Sequence, residues 1–312
     1  MARTLFEPES NEAQAARAAA TTRRGDRYVP YVYSGDLVPT IQAAQVTERP
    51  LLLRGDPGSG KSTLARDVAL VLGHRYYEQT VTSRMQARDL LYQFDAVRRL
   101  GDTAAERDHG EWRYVTPGRL WWAFDPDSAR SRGGPPSDTP LVDPSWGAGS
   151  GKGAVLLVDE IDKADPDVPN DLLIALGEGR FHVDELDREI TRGADREVLV
   201  FVTTNEERDL PQAFLRRCIV LNLEPPKDTA LQAIVHQHVP EASEATVAKI
   251  MREFARLAKL AGDKGARRPG TAELLDAVRA CHEMGMTADD PRLAIVLQAT
   301  VWKQSSLPKQ DG

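Results

Sequence analysis

The stretch "RPLLLRGDPGSGKSTLARDVALVLG", residues 49–73, constrains this chain more than any other. A short apolar run, "PLLLRG", reads as a buried parallel strand. Beyond the loop, Leu64, Val68 and Leu72 recur every fourth residue, which is one face of a helix, and Gly73 is placed to stop it. The loop between them, Gly55, Asp56, Pro57, Gly58, Ser59, Gly60, Lys61, Ser62 and Thr63, fits G-x-x-x-x-G-K-[ST]. Glycines let successive backbone N–H groups curl around phosphate oxygens. The helix N-terminus adds a positive dipole. In this context Lys61 is expected to reach the β- and γ-phosphates, and Ser62 to ligate Mg²⁺. A second stretch, "GSGKG" at 149–153, fails the same pattern. Trp146 stands where the first glycine belongs, and Gly153 has no hydroxyl where Ser62 has one. One nucleotide site is therefore expected.

Four further apolar runs follow: "RYYEQTVT" (75–82), "AVLLVDE" (154–160), "EVLVFVTTN" (197–205) and "CIVLNLE" (218–224). Their alternation with helical stretches predicts a doubly wound α/β sheet with ligands at the carboxyl ends of its strands. After "EPP" (224–226) the strand pattern stops and four amphipathic helices are expected. These readings divide the chain into a loose tail at 1–27, with a short helix as an option within it, an α/β domain at 28–225 and a small helical domain at 226–312. Residues 83–123 and 128–153 read as insertions, the second a Gly-, Pro- and Ser-rich exposed loop. "GRFHVDELDREI" (179–190) suits a hairpin turning at 184–187.

Across 312 residues, 41% are hydrophobic, enough for a packed core. The formal charge of −7 argues against a general affinity for nucleic acid. Two distant cysteines, Cys218 and Cys281, imply neither a disulfide framework nor a cysteine zinc site. No apolar run approaches the roughly 20 residues that span a bilayer, and no secretory leader is expected. A cytoplasmic protein is the simplest reading.

"AVLLVDEID" (154–162) ends a strand in adjacent acids. Asp159 is expected near the Mg²⁺ shell, and Glu160 to orient and deprotonate an attacking water. Asp162 suits either a helix cap or a part in the chemistry.

In this order, "LLLRGDPGSGKSTLA", "VDEIDKA", "LIALGEGRF", "VTTN" and "LPQAFLRRC" resemble the AAA+ ATPases, most closely the MoxR branch, over roughly 30–285. The resemblance implies a P-loop NTPase sheet with a small C-terminal α-helical lid. It implies ATP and Mg²⁺ as cofactors, and Mg-dependent hydrolysis of the phosphoanhydride. It places the water-holding polar sensor at Asn205. It places an arginine offered to the neighbouring subunit at Arg217, with Arg216 as runner-up; such a group stabilises the transferring phosphoryl. A second sensor arginine falls at Arg268, beside Arg267. The commoner branch pattern has that arginine after the proline, where this chain has Gly270, and a solvated helix start is the alternative. The family inserts a pore-facing loop where 83–123 lies. Trp121 and Trp122 there read as substrate grips or, for at least one, as ordinary core.

The function so implied is a homo-oligomeric ring, expected as a hexamer, that remodels a protein client, with a separate von Willebrand A-type protein as candidate partner. The alternative is a nucleic-acid-linked or restriction-type motor, for which the basic run at 256–268 is the best sequence support. A GTP switch lacks its guanine-reading motif, and a structural ring with a dead site is opposed by the intact Lys61, Asp159, Glu160 and Asn205 set.

Overall fold

Each of the five apolar runs forms a strand in the computed structural model, which describes residues 5–20, 28–33, 35–106, 110–136, 139–146, 153–263 and 267–301. In chain order the strands are β1 (Leu51–Arg54), β2 (Arg75–Thr80), β3 (Tyr92–Phe94), β4 (Val115–Pro117), β5 (Ala154–Asp159), β6 (Arg180–Val183), β7 (Arg188–Thr191), β8 (Val198–Thr204) and β9 (Ile219–Asn222). β2, β5, β8, β1 and β9 lie side by side in that order, all parallel. Leu51–Leu53 and residues 154–158 are buried, as continuous apolar runs in a doubly covered sheet must be. The expected helix forms over Lys61–Val71, and Gly73 takes the left-handed backbone that ends it.

The chain divides into two compact units. One comprises residues up to 28, 33–54 and 62–222, and holds the whole parallel sheet. The other comprises 29–32, 55–61 and the chain from 223 onward, so the glycine-rich loop groups with the C-terminal helices. Those four helices are Asp228–His238, Glu244–Asp263, Thr271–Glu283 and Leu293–Thr300. They close around their own core, including Leu231, Ile250, Leu274 and Leu297.

Three segments differ from their sequence reading. The expected tail is not loose: its short helix, Asn11–Ala19, is built into the sheet-bearing unit. Its Arg17 donates to both oxygens of the fully buried Asp67, at 3.0 and 2.5 Å. The Tyr28 and Tyr33 hydroxyls donate to the same carboxylate at 3.1 and 2.7 Å. Such a cage is invisible in sequence because its members lie far apart along the chain. Within the expected loop at 128–153, Trp146 exchanges backbone hydrogen bonds with Tyr76 of β2, and the Tyr77 hydroxyl donates to Asp143. "GSGKG" itself, apart from Gly153, lies outside the described residues. Trp121 and Trp122 are both buried in the core, Trp121 with its ring edge-on to Phe181 of the β6–β7 hairpin, so both serve as core rather than as exposed grips. That hairpin forms as expected, Phe181 opposite Ile190. No described helix is long and apolar enough to cross a membrane.

Removing Asp67 would strand a buried guanidinium. Asp67→Ala is expected to lower unfolding free energy by about 3–5 kcal/mol in denaturant titration. Burial and the Asp67 charge also raise the pKa of Tyr28 and Tyr33. Their contribution to stability is therefore full below the unfolded tyrosine value of about 10 and is lost as pH climbs beyond it. Tyr28→Phe/Tyr33→Phe should flatten the fall in stability above about pH 10; an unchanged slope would contradict the cage.

Candidate active site

The glycine-rich loop leaves β1 at Gly55 and enters the helix at Lys61. Gly55, Gly58 and Gly60 all have positive φ, 149°, 83° and 92°. At Gly60 the freedom is required twice: a Cβ there would also meet Cε2 of Tyr31 at 3.2 Å. The Lys61 ammonium, on a side chain only 7% exposed, donates to the carbonyls of Gly55 and Asp56 at 2.6 and 3.2 Å. The Ser59 hydroxyl is buried and unpartnered among the described residues. A buried cation, an orphaned hydroxyl and a backbone only glycine can trace suit a phosphate chain. Asp56, Pro57 and Gly58 are exposed; Ser62 and Thr63 are half-buried in the first helical turn.

The same unit brings an arginine to this loop. Arg267 donates to the Pro57 carbonyl at 3.3 Å and to Glu273 at 2.9 Å. Glu273, nearly buried, also accepts from the Gly270 amide at the start of the helix Thr271–Glu283. Arg268, the residue favoured from sequence, lies instead against Gly262. An arginine ahead of Gly270 does reach the loop, and it is the first of the pair.

In the sheet-bearing unit the acids gather at the ends of β5 and β8. Thr203, fully buried on β8, donates its hydroxyl to Asp159 at 2.5 Å and accepts from the Glu160 amide at 2.9 Å. Glu160 sits in the left-handed region, φ 62°, which turns the chain sharply off the strand. Its carboxylate accepts from Asn205 Nδ2 at 3.3 Å and from Lys163 Nζ at 2.7 Å. The Lys163 pKa is raised accordingly by the Glu160 hydrogen bond. Asp162, only 3% exposed, accepts from the amides of Asn205 and Glu207 at 3.3 and 3.0 Å. It thus holds the loop after β8 rather than capping a helix. A cleft of about 410 Å³ opens here, lined by Thr80, Thr82, Ser83, Glu160, Asp162 and Lys163 among others. Of the residues named from sequence, Asp159, Glu160 and Asn205 come together here, whereas Thr203, Lys163 and the task of Asp162 were missed. A hydroxyl inside "VLVFVTTN" was the one available sign.

Arg216 and Arg217 follow the short helix Gln212–Leu215, with exposed side chains. Neither guanidinium has a hydrogen bond or ion pair among the described residues.

Comparison with protein families matches residues 50–218, more than half of the chain, to the AAA domain of the dynein-related subfamily. This chain belongs to that AAA family. The match runs from the strand ahead of the glycine-rich loop to the arginine pair, taking in Asp159, Glu160 and Asp162. The AAA domain makes the protein an ATP hydrolase. Comparison with curated proteins finds no match. Two solved structures of Thermotoga maritima RuvB share 16% identity with the chain. A mutant form covers 85% of this chain and 68% of its own, with a TM-score of 0.45. The Holliday junction branch migration motor covers 87% and 69%, with a TM-score of 0.44. Likenesses this partial carry no weight in the assignment.

Gly60→Ala forces a strained φ and a contact with Tyr31 together. In titration with a fluorescent ATP analogue it is expected to weaken binding by roughly tenfold or more, for a strain of about 1–3 kcal/mol. Unaltered affinity would contradict the loop as the phosphate cradle.

Proposed function

We propose that this AAA domain is one subunit of a ring, a hexamer, in which ATP hydrolysis drives remodelling of a protein partner in the manner of the MoxR branch. The observation that carries this reading is the Glu160 carboxylate, held between Asn205 and Lys163 beside the Asp159–Thr203 pair. Lys61 exchanges the loop carbonyls for phosphate oxygens, and Arg267, rather than Arg268, adds charge from the helical unit. Ser62 and Asp159 would hold Mg²⁺, which neutralises phosphate charge. Asn205 orients a water. Glu160 takes its proton as the water oxygen bonds to the γ-phosphorus and the bond to the bridging oxygen of ADP breaks. Arg217, with Arg216 as the alternative, stabilises that charge in the pocket of the adjoining subunit. A separate von Willebrand A-type protein is a candidate partner.

One observation favours a second reading, a nucleic-acid-linked motor. Arg98 lies 5.7 Å over the Tyr114 ring and Arg113 lies 5.1 Å over Trp112. The turn at Gly134 packs on Trp112, and burial together with Arg98 and Arg113 lowers the pKa of Arg132. Interleaved arginines and aromatics suit a nucleic-acid strand. The acidic balance of the whole chain keeps it second.

Glu160→Gln keeps the shape and loses the base. It should bind ATP as the parent does while turnover falls by about a hundredfold or more, and under ATP it should retain a protein client in pull-downs. Turnover equal to the parent's would remove Glu160 from the chemistry. Stimulation by DNA that fades as salt rises would transfer the reading to the second function.

A further inference from the structure

Arg216 and Arg217 present exposed guanidinium groups without a partner among the described residues, yet the backbone beneath them is tightly held. At the end of the helix Gln212–Leu215 the carbonyls of residues 216–218 are past the last intrahelical donors and need partners from elsewhere. One side chain meets all three. Arg49 donates Nε to the Arg217 carbonyl at 3.0 Å, and Nη2 to the carbonyls of Cys218, at 3.1 Å, and Arg216. The planar fork of a guanidinium suits this task, since its donors are fixed relative to one another. The anchorage continues along the chain. The Ile219 amide donates to the Pro50 carbonyl at 2.9 Å, and Leu51 pairs with Ile219 where β1 meets β9. On the other side Phe214 is fully buried. A rigid backbone carrying unneutralised cations is what aiming charge at a group outside the chain requires.

We propose that Arg49 is the positioning residue for the arginine that this chain lends to the next subunit. The inference rests on the trans-acting reading of Arg216 and Arg217 given above. It adds that the lent charge is aimed from the segment just ahead of β1, the strand that leads into the chain's own phosphate loop. Arg49 touches no substrate; it fixes the peptide on which the reacting cation sits.

Arg49→Ala should lower kcat by about tenfold to a hundredfold, the cost of a misplaced catalytic group, with KM and ATP-analogue affinity unchanged. Arg49→Lys keeps the stem and a cation but loses the fork. It should show a partial fall and serves if the alanine variant does not fold. The deciding measurement uses rings co-purified from co-expressed, differently tagged subunits. A ring of Arg49→Lys or Arg49→Ala subunits has sound pockets and misaimed donors; a Glu160→Gln subunit has a dead pocket and a sound donor. In equal random mixing about a quarter of sites join a sound pocket to a sound donor, so turnover should rise above that of either parent for any Arg49 variant that alone keeps less than about a third of parental turnover, and the mixture is read with such a variant. No rise with Arg49 variants, where Arg217→Ala or Arg216→Ala mixed with Glu160→Gln does rise, would overturn the positioning role and leave the trans reading intact. No rise in any mixture would overturn both. Full turnover in both Arg49 variants would also overturn it.

Discussion

One buried hydroxyl ties together the two strands that carry the chemistry. Thr203 donates to the Asp159 carboxylate and accepts from the Glu160 amide, so the ends of β5 and β8 are joined beyond their ladder. Without that bridge Asp159 would lose its short hydrogen bond, and the left-handed turn at Glu160 would lose the acceptor that fixes it. Everything that surrounds the Glu160 carboxylate, Asn205 from β8's end and Lys163 from the turn, presupposes this joint. Asp162 reinforces it by holding two amides of the loop after β8. The site is a product of strand order: β5 and β8 are neighbours in space although some forty residues and a hairpin separate them in the chain.

The second dependence is on charge that is paired where it is buried and free where it is presented. Arg17 and Asp67 are buried together, and Asp67 collects two tyrosine hydroxyls as well. Buried charges persist only when so satisfied. Arg216 and Arg217 are the reverse: exposed, with no partner for either guanidinium among the described residues, and held by their backbone. In the helical unit Arg267 is intermediate, shared between the Glu273 carboxylate and a loop carbonyl. The contrast separates arginines that build the fold from those available to a ligand.

The sequence made the sheet legible because buried parallel strands are written as unbroken apolar runs, and each of the five became a strand. The phosphate loop was legible because its glycines, lysine and hydroxyl must keep one spacing. What stayed hidden depended on pairing across distance. The Arg17–Asp67 cage has no local pattern, so the anchoring of the N-terminal helix stayed hidden. Arg49 binds carbonyls, which every residue possesses, so nothing at 216–218 announces it. Trp146 joins β2 through backbone hydrogen bonds and a ring contact with Tyr76, neither of which a Gly-, Pro- and Ser-rich stretch announces. Arg267 and Arg268 are identical in type, and only the fold distinguishes the one beside the loop from the one beside Gly262.

Thr203→Val removes the hydroxyl and keeps the shape of the side chain, which makes it the most direct probe of the joint. Single-turnover hydrolysis with saturating ATP is the measurement. The structure requires the rate to fall by roughly tenfold to a hundredfold, the cost of leaving buried polar groups without their partner, while nucleotide affinity holds. A Thr203→Val protein that splits ATP at the parental rate would show that the acids do not depend on this bridge, and the account of the site built on it would fail.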